Sequence, residues 1–332
     1  MEPTLAQLLG SPDHYFHSFD GSNAIFVPMD RAAYRRSIFL DRRISPAEKR
    51  TIQVPAVSLN TNFPGLTTGW IFHVAHCGST LLARGLDELS RTNLVLREPL
   101  ALRQLALAPD PGKLKLALKL LSKRYSGAGP TIIKANVPVN FLLEKIADAD
   151  NQAPVILLYC GLSDYLLAIL RSANHRAWLR NVTSQLVEPL GDLSHLPDAE
   201  LGAALWLTQM RRFAATIAQM PFARSLDAEH FFDNPCEMLG AAAKHFGMEI
   251  NHAAIEAVVS GPLFTTYSKN PAQPFDNNAR IVRREALVTE ISDELTAGQR
   301  WIENNATDVD VITAHIFEAK LGIEPIFGSN WV

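Results

Sequence analysis

A central parallel sheet between two layers of helices, an α/β fold, is what this sequence predicts, and three observations predict it. From Gly69 onward, apolar runs of strand length alternate with longer amphipathic stretches, the signature of βαβ units. The apolar runs are continuous, as in VILLY at 155–159, which suits strands covered by helices on both faces. The composition, 47% hydrophobic and 20% charged over 332 residues, supplies a buried core and excludes wholesale disorder. At about 150 residues per domain, the length sets a soft expectation of two domains.

Residues 1–65 read as an N-terminal extension packed on the core, with short aromatic segments, several turn residues and a basic cluster from Arg31 to Arg43. Residues 66–332 read as the main domain. Its strands are expected at 70–74, 93–96, 131–133, 155–159 and 223–226, each a short apolar run. Amphipathic stretches between and after them predict helices at 80–89, 138–149, 163–172, 198–220 and 235–246. The second and fifth open on Pro138 and Pro235, which suit a first helical turn because the N–H they lack has no partner there. Asp198, after Pro197, is placed to cap the fourth. Residues 261–284 have little apolar periodicity and read as a long loop, a feature that is usually functional or disordered. Two last helices are expected at 284–304 and 308–321.

Lysine and arginine number 31 against 34 aspartates and glutamates, a formal net charge of −3. Nonspecific grip on a nucleic-acid backbone needs a strong positive surplus, so nucleic acid is not expected as a partner. Cys77, Cys160 and Cys236 are an odd number without CxxC spacing, which points to neither a disulfide framework nor a zinc site and fits a reducing compartment. The first residues, MEPTLAQLLGSPDHYFHSFDG, lack the basic start and apolar run of a secretory signal. The most apolar stretch, 154–170, is broken by Gly161, Ser163 and Asp164 and is too short to span a bilayer. A cytoplasmic protein without a membrane span is the expectation. No solenoid-type repeat or low-complexity tract is present.

The segment that carries chemistry is WIFHVAHCGSTLLAR at 70–84. An apolar strand ends, a short turn contains Gly78, and a helix begins at Ser79 and Thr80. Unpaired N–H groups at such a helix start point outward, and the helix dipole adds about half a positive charge. Gly78 lets the backbone approach an anion, and the Ser79 and Thr80 hydroxyls add donors. The plainer reading is an ordinary turn with Ser79 as the helix cap. The Walker pattern GxxxxGK[ST] is not met, since Ser79 stands at the lysine position. The strand at 155–159 does not end in an aspartate to hold magnesium. An ordinary magnesium-dependent ATPase or kinase is therefore disfavoured.

AHCGSTLLARGL resembles the nucleotide-binding loop of the sulfotransferases, which usually reads Pro-(Lys or Arg)-Ser-Gly-(Thr or Ser)-(Thr or Ser). Ala75, His76, Cys77, Gly78, Ser79 and Thr80 occupy those places in order. TIIKANVPVNFLLEKI is similar to that family's third strand and next helix, with Lys134 and Pro138 matching. APVILLYCGLSDYLLAIL resembles its fourth strand and helix. RSLDAEHFFDNPCEMLGAAAKHFGM resembles a late element, through Phe231, Phe232, Pro235, Phe246 and Gly247. The resemblance spans about residues 69–248 and is closest to a divergent bacterial-type branch. It implies a P-loop NTPase-like three-layer sandwich, sulfotransferase-like in detail. It also implies an enzyme that moves a sulfuryl group from 3′-phosphoadenosine 5′-phosphosulfate to a hydroxyl or amine. Amides of Cys77, Gly78, Ser79, Thr80 and Leu81 would hold the bridging phosphate, and Lys134 and His76 would stabilise charge on the departing oxygen.

Departures from the family pattern shape the remaining expectations. The arginine and serine that hold the 3′-phosphate are replaced by Cys160 and Ala168. Arg171 and Ser172 follow one helical turn later and could replace them, as could Lys269, Arg280, Arg283 or Arg284; plain solvated charges are the alternative. The histidine two residues after the strand-three lysine is Asn136 here, which cannot accept a proton at neutral pH. Glu98, beyond the strand VLR at the carboxyl edge of the sheet, is the candidate base; the alternative is a capping carboxylate for a helix starting near Pro99. His14 with His17 and His73 with His76 lack a completing cysteine or carboxylate, so no metal is expected. Cys77 reads as a packing residue. Two rivals keep the fold: a kinase-like protein using another donor, or an inactive module that binds an anion weakly. The acceptor is unknown, with 108–129, 174–195 and 261–284 as candidate selecting loops and Trp178, Phe264, Tyr267 and Phe275 as candidate lining.

Overall fold

A computed structural model describes residues 3–59, 65–268, 270–274 and 276–322. The N-terminal helix α1 (Leu5–Gly10) starts on a reciprocal cap: Gln7 N donates to Thr4 Oγ1 (3.3 Å) and Thr4 N to Gln7 Oε1 (2.8 Å). Strands β1 (His14–Asp20) and β2 (Asn23–Pro28) form a hairpin, helix α2 (Arg31–Arg36) is capped by Asp30, and β3 (Ile52–Pro55) pairs with β2. This small antiparallel sheet packs on two helices of the main layer, and Gln104 bonds both backbone groups of Phe19 at 2.9 Å.

The main sheet begins with β4 (Gly69–His73), followed by α3 (Ser79–Leu89), β5 (Val95–Arg97), α4 (Leu100–Leu107), α5 (Pro111–Leu121) and β6 (Ile132–Lys134). Next come α6 (Leu143–Ala149), β7 (Val155–Tyr159), α7 (Leu162–Leu170), α8 (Ala173–Ser184), α9 (Val187–Leu190), α10 (Asp198–Gln219) and β8 (Ala223–Asp227). The chain continues through α11 (Ala228–Asp233), α12 (Pro235–His245), α13 (His252–Val259), α14 (Pro262–Thr265) and the hairpin β9 (Thr266–Tyr267) and β10 (Asn270–Pro274). Helices α15 (Asn277–Glu290), α16 (Ser292–Asn305) and α17 (Val309–Glu318) follow.

Strands run parallel in the order β5-β6-β4-β7-β8, with Ile71 opposite Lys134 on one side and Ile156 on the other. Helices flank this sheet, one group gathered on α3 (α12 and α13) and another on α10 (α6, α7, α8, α16 and α17). The predicted α/β sandwich is therefore the observed one. The order reverses at β4, so the loop after β4 opens between strands that depart to opposite sides, where ligands of such sheets sit. The buried apolar cluster is continuous from Phe16 and Phe26 in the small sheet through Trp70 and Phe72 to Phe213 on α10.

Several expected elements differ. The helix expected at 284–304 is split between α15 and α16 at Ile291, and the candidate loop 174–195 is mostly α8 and α9. Helix α10 has Pro197 at its cap position, with no side-chain bond from Asp198. The helix expected at 138–149 opens with a 3-10 turn, Val137–Leu142, because Asn140 turns inward and donates to His73 O (3.0 Å) and Gln209 Oε1 (2.8 Å). The loop expected at 261–284 holds α14, the hairpin and the start of α15. No side chain of α15 is buried, so its sequence carries no strong apolar stripe. The stretch 108–129 is mostly α5, started by Asp110 and Pro111, and it packs on α4 and β1.

Candidate functional site

After β4 the chain makes a strained turn. Ala75 (φ +88°) and His76 (φ +51°) both lie in the left-handed region, which costs about 1–3 kcal/mol each for residues with a Cβ. Neighbours enforce it. His73 donates from Nε2 to Ala135 O (2.9 Å) and accepts on Nδ1 from Ala75 N (3.1 Å), while Val74 N donates to Leu158 O (3.2 Å). From sequence His73 reads only as half of an incomplete metal pair; its role as a brace depends on Ala135, sixty-two residues away.

Gly78 (φ +84°) then starts α3 without a side-chain cap, so Ser79 is not the cap of this helix. A Cβ at Gly78 would stand 2.7 Å from Phe232 Cζ, so glycine is required by space as well as by φ. The Thr80 hydroxyl is buried and has no hydrogen-bond partner. Ser79, Thr80 and Leu81 line one hollow, and a helix start there, with a buried unsatisfied hydroxyl beside it, offers the donor set an anion needs.

At the ends of β5 and β6 the structure joins two residues that sequence reading placed separately. The Lys134 ammonium, 1% exposed, is bonded to Glu98 Oε1, and Glu98 N donates to Lys134 O (2.7 Å). Glu98 itself holds φ +56°. It does not cap α4, whose cap position is Pro99 with no side-chain bond. Its second oxygen lies 3.8 Å from Arg43 Nη2. Arg43 stacks on Phe39, 3.9 Å from the ring centre, and forks onto Asp41 (2.5 Å). Burial opposes ionisation of Asp41, but the bonds from Arg43 outweigh it and hold the carboxyl below its ordinary range. Phe39, Asp41 and Arg43 were missed as site residues, because nothing local in the N-terminal extension marks them as neighbours of β5.

The β7 side is built differently. Cys160 is buried, and burial pushes its thiol well up, with Cys77 and nearby acids adding to the effect; it supplies no charge. Arg171 bonds His175 Nε2 (2.7 and 3.1 Å) and reaches the Tyr267 hydroxyl at 3.4 Å, partners without formal charge when His175 accepts on that nitrogen. Ser172, expected beside Arg171, does not line the cavity; it caps α8 and bonds His175 Nδ1 at 2.7 Å. Arg280 forks onto Glu229 (2.6 and 2.8 Å) and Arg284 pairs with Asp164 (2.5 Å), so neither is simply solvated. Lys269 and Phe275 lie outside the described residues. His76 sits between the rings of His175 (4.7 Å) and Trp178 (5.0 Å).

One cavity of about 770 Å³ is bounded by residues from all of these groups: the turn from Ala75 to Leu81, Glu98 with Lys134, Phe39 with Arg43, and Arg171 with Arg283. Asn136 also lines it, with its Oδ1 buried and unpartnered. Trp178, Phe264 and Tyr267 reach it, whereas no residue of 108–129 does. Among the described residues no cluster of three or more histidine, cysteine or acidic side chains is placed to hold a metal, and no helix is long and apolar enough to cross a membrane.

No protein-family model and no curated protein matches the chain. Among solved structures it is similar to the sulfotransferase domain from the curacin biosynthetic pathway, at 12% identity and a TM-score of 0.40, over 73% of this chain and 98% of that one. It is also similar to a sulfotransferase from Alicyclobacillus acidocaldarius, at 12% identity and a TM-score of 0.38, over 75% of this chain and 100% of that one.

Proposed function

We propose that this protein transfers a sulfuryl group from 3′-phosphoadenosine 5′-phosphosulfate to a hydroxyl or amine acceptor. The observation that carries the reading is a single cavity joining an anion cradle, with its unsatisfied Thr80 hydroxyl, to the Glu98–Lys134 pair. The donor supplies a phosphosulfate anhydride. The S–O bond to the bridging phosphate oxygen breaks, a bond from sulfur to the acceptor atom forms, and the acceptor's proton passes to Glu98. Catalysis of this kind rests on positioning and electrostatics. The amides of Cys77 to Leu81 hold the phosphate, and His76 donates to the sulfate. Lys134 offsets charge on the departing oxygen. As Glu98 takes up a proton its attraction for Lys134 weakens, which frees the ammonium for the oxygen that is gaining charge.

At the 3′-phosphate, Arg171 is the favoured anchor, because its hydrogen-bond partners carry no carboxylate. Calorimetry with adenosine 3′,5′-bisphosphate tests this directly. Saturable binding is expected, reduced roughly ten- to hundredfold in Arg171→Ala, the worth of one charge-assisted bond. No binding at millimolar ligand removes this donor. Turnover should vanish in Glu98→Ala and Lys134→Ala with the fold intact.

A second reading has its own support: Asp164 and Glu229 line the same cavity and neutralise Arg284 and Arg280. Two carboxylates at that end favour a nucleotide without a 3′-phosphate. Competition between AMP and the bisphosphate separates the two, since preference for AMP selects the second.

A further inference from the structure

Residues 31–50 hold seven cations and two carboxylates, a net of +5 in a chain whose total is −3. Arg31, Arg43 and Arg50 are paired with carboxylates, Asp87 (2.6 Å), Asp41 (2.5 Å) and Glu48 (2.6 Å), and the fold ties the arginines of α2 and of the turn at 42–43 into one strip. Arg31 donates to Arg91 O (3.0 Å) and Ser90 O (2.9 Å), and Arg35 to Ser90 O (3.3 Å). Arg36 donates to Ser45 O (3.1 Å) and Pro46 O (2.6 Å), which ties α2 to the turn that carries Arg42 and Arg43. Arg35, Arg36 and Arg42 are exposed. The partners of Arg35 and Arg36 are carbonyl oxygens and a hydroxyl, so no carboxylate offsets their charge. Attraction to the C-terminal end of α2 accounts for Arg35 and Arg36 but not for Arg42, which lies beyond the helix.

The strip is braced by a buried arginine and ends at the cavity. Arg97, 1% exposed, donates to Tyr34 O (2.6 Å), Ser37 O (2.7 Å) and Ile38 O (3.1 Å) while paired with Asp87 (3.0 Å). Leu40 N then donates to Arg97 O (2.7 Å), and the next residues, Asp41 and Arg43, line the cavity beside Glu98.

We propose that this strip docks an acidic protein segment that presents the acceptor group at Glu98. Only the fate of that group rests on the sulfuryl-transfer reading; docking is a separate property. Guanidinium forks suit carboxylates. The strip also carries Asp41 and Glu48 among its cations. A densely charged polymer sets its own negative charges against these, as duplex DNA does with one charge per about 1.7 Å. An extended acidic polypeptide spaces its carboxylates by about 3.3 Å or more, roughly half that charge density, and so meets less repulsion from Asp41 and Glu48.

The test uses the full chain and labelled poly-L-glutamate, read by fluorescence anisotropy at low and moderate salt, with heparin and duplex DNA at equal charge alongside. Poly-L-glutamate is expected to bind saturably, to weaken as salt rises, and to lose at least tenfold in R35E/R36E/R42E. Since Arg36 braces the turn, R35E/R42E serves as a second variant and should lose at least threefold. Tighter binding of heparin or DNA, binding unchanged in both variants, or no binding of poly-L-glutamate overturns the proposal. Adenosine 3′,5′-bisphosphate is titrated into the same samples. Its failure to bind while poly-L-glutamate does removes the transferase reading and leaves the docking strip standing.

Discussion

Glu98 carries φ +56°, a conformation that a residue with a Cβ keeps only when its surroundings compel it. Here the compulsion is a backbone bond to Lys134 O on one side and Pro99 on the other, and its result is a carboxylate aimed at the Lys134 ammonium. Gly78 is the sharper case, because both its φ of +84° and the Phe232 ring exclude a side chain. Gly78→Ala should lower the affinity for adenosine 3′,5′-bisphosphate at least tenfold and destabilise the fold by about 1–3 kcal/mol. Calorimetry and urea unfolding measure the two effects, and wild-type affinity in a stable variant would show that the cradle is not the nucleotide site. Gly78, Lys134 and Glu98 were legible one by one, since each sits at a strand or helix end in a recognisable string. Their contact was not legible, because Glu98 and Lys134 are thirty-six residues apart.

At the scale of elements, what anchors a segment decides how it responds to conditions. Helix α15 has no fully buried side chain and meets the rest through Arg280, Arg284, Asn277 and the half-buried Leu287. Helix α1 and strand β1 are instead held by the buried Lys123 ammonium, which donates to Leu8 O (3.0 Å) and to His14 O. Burial pushes Lys123 down to about 7 from its ordinary 10.5, with Asp13 opposing. The unfolded chain keeps that proton up to the ordinary value, so between the two values it binds more protons than the native state. Stability attributable to Lys123 therefore rises with pH across this window, by at most about 1.4 kcal/mol per unit. Urea midpoints of wild type and Lys123→Met, compared from pH 7 to 10, should shift in favour of wild type as pH rises. A difference that stays constant would mean that the native state keeps the Lys123 proton throughout this range, as the unfolded chain does.

Across the whole molecule, one buried network couples the N-terminal sheet to the parallel sheet. Asp87 on α3 accepts from Arg31 (2.6 Å) and Arg97 (3.0 Å), and Arg97 holds the backbone from Tyr34 to Ile38. Removing one member of a buried ionic set leaves the others uncompensated, at a cost of about 3–5 kcal/mol. Asp87→Ala is expected to lose that much in a single calorimetric transition, because the apolar cluster runs unbroken through both sheets. Two separated transitions, with only the first moved, would show that the N-terminal residues unfold on their own. The same coupling carries Phe39 and Arg43 to the cavity and makes the N-terminal segment part of the site wall.

The sequence alone determined the sheet, its main helices and the glycine turn, because continuous apolar runs, amphipathic spacing and a glycine before a helix are local properties of a chain. It also marked Glu98, Lys134, His76 and Arg171 as residues of interest by their places in short strings. Only the folded chain decided which of these meet: that Glu98 grips Lys134, that Ser172 turns to His175, and that arginines of α15 face acids of α7 and α11. Charged side chains act over a few ångströms of space, and the separations in sequence that produce those approaches are set by how the sheet orders its strands. The wall formed by Phe39 to Arg43 is the clearest instance, brought to β5 by a buried arginine whose hydrogen bonds reach back some sixty residues.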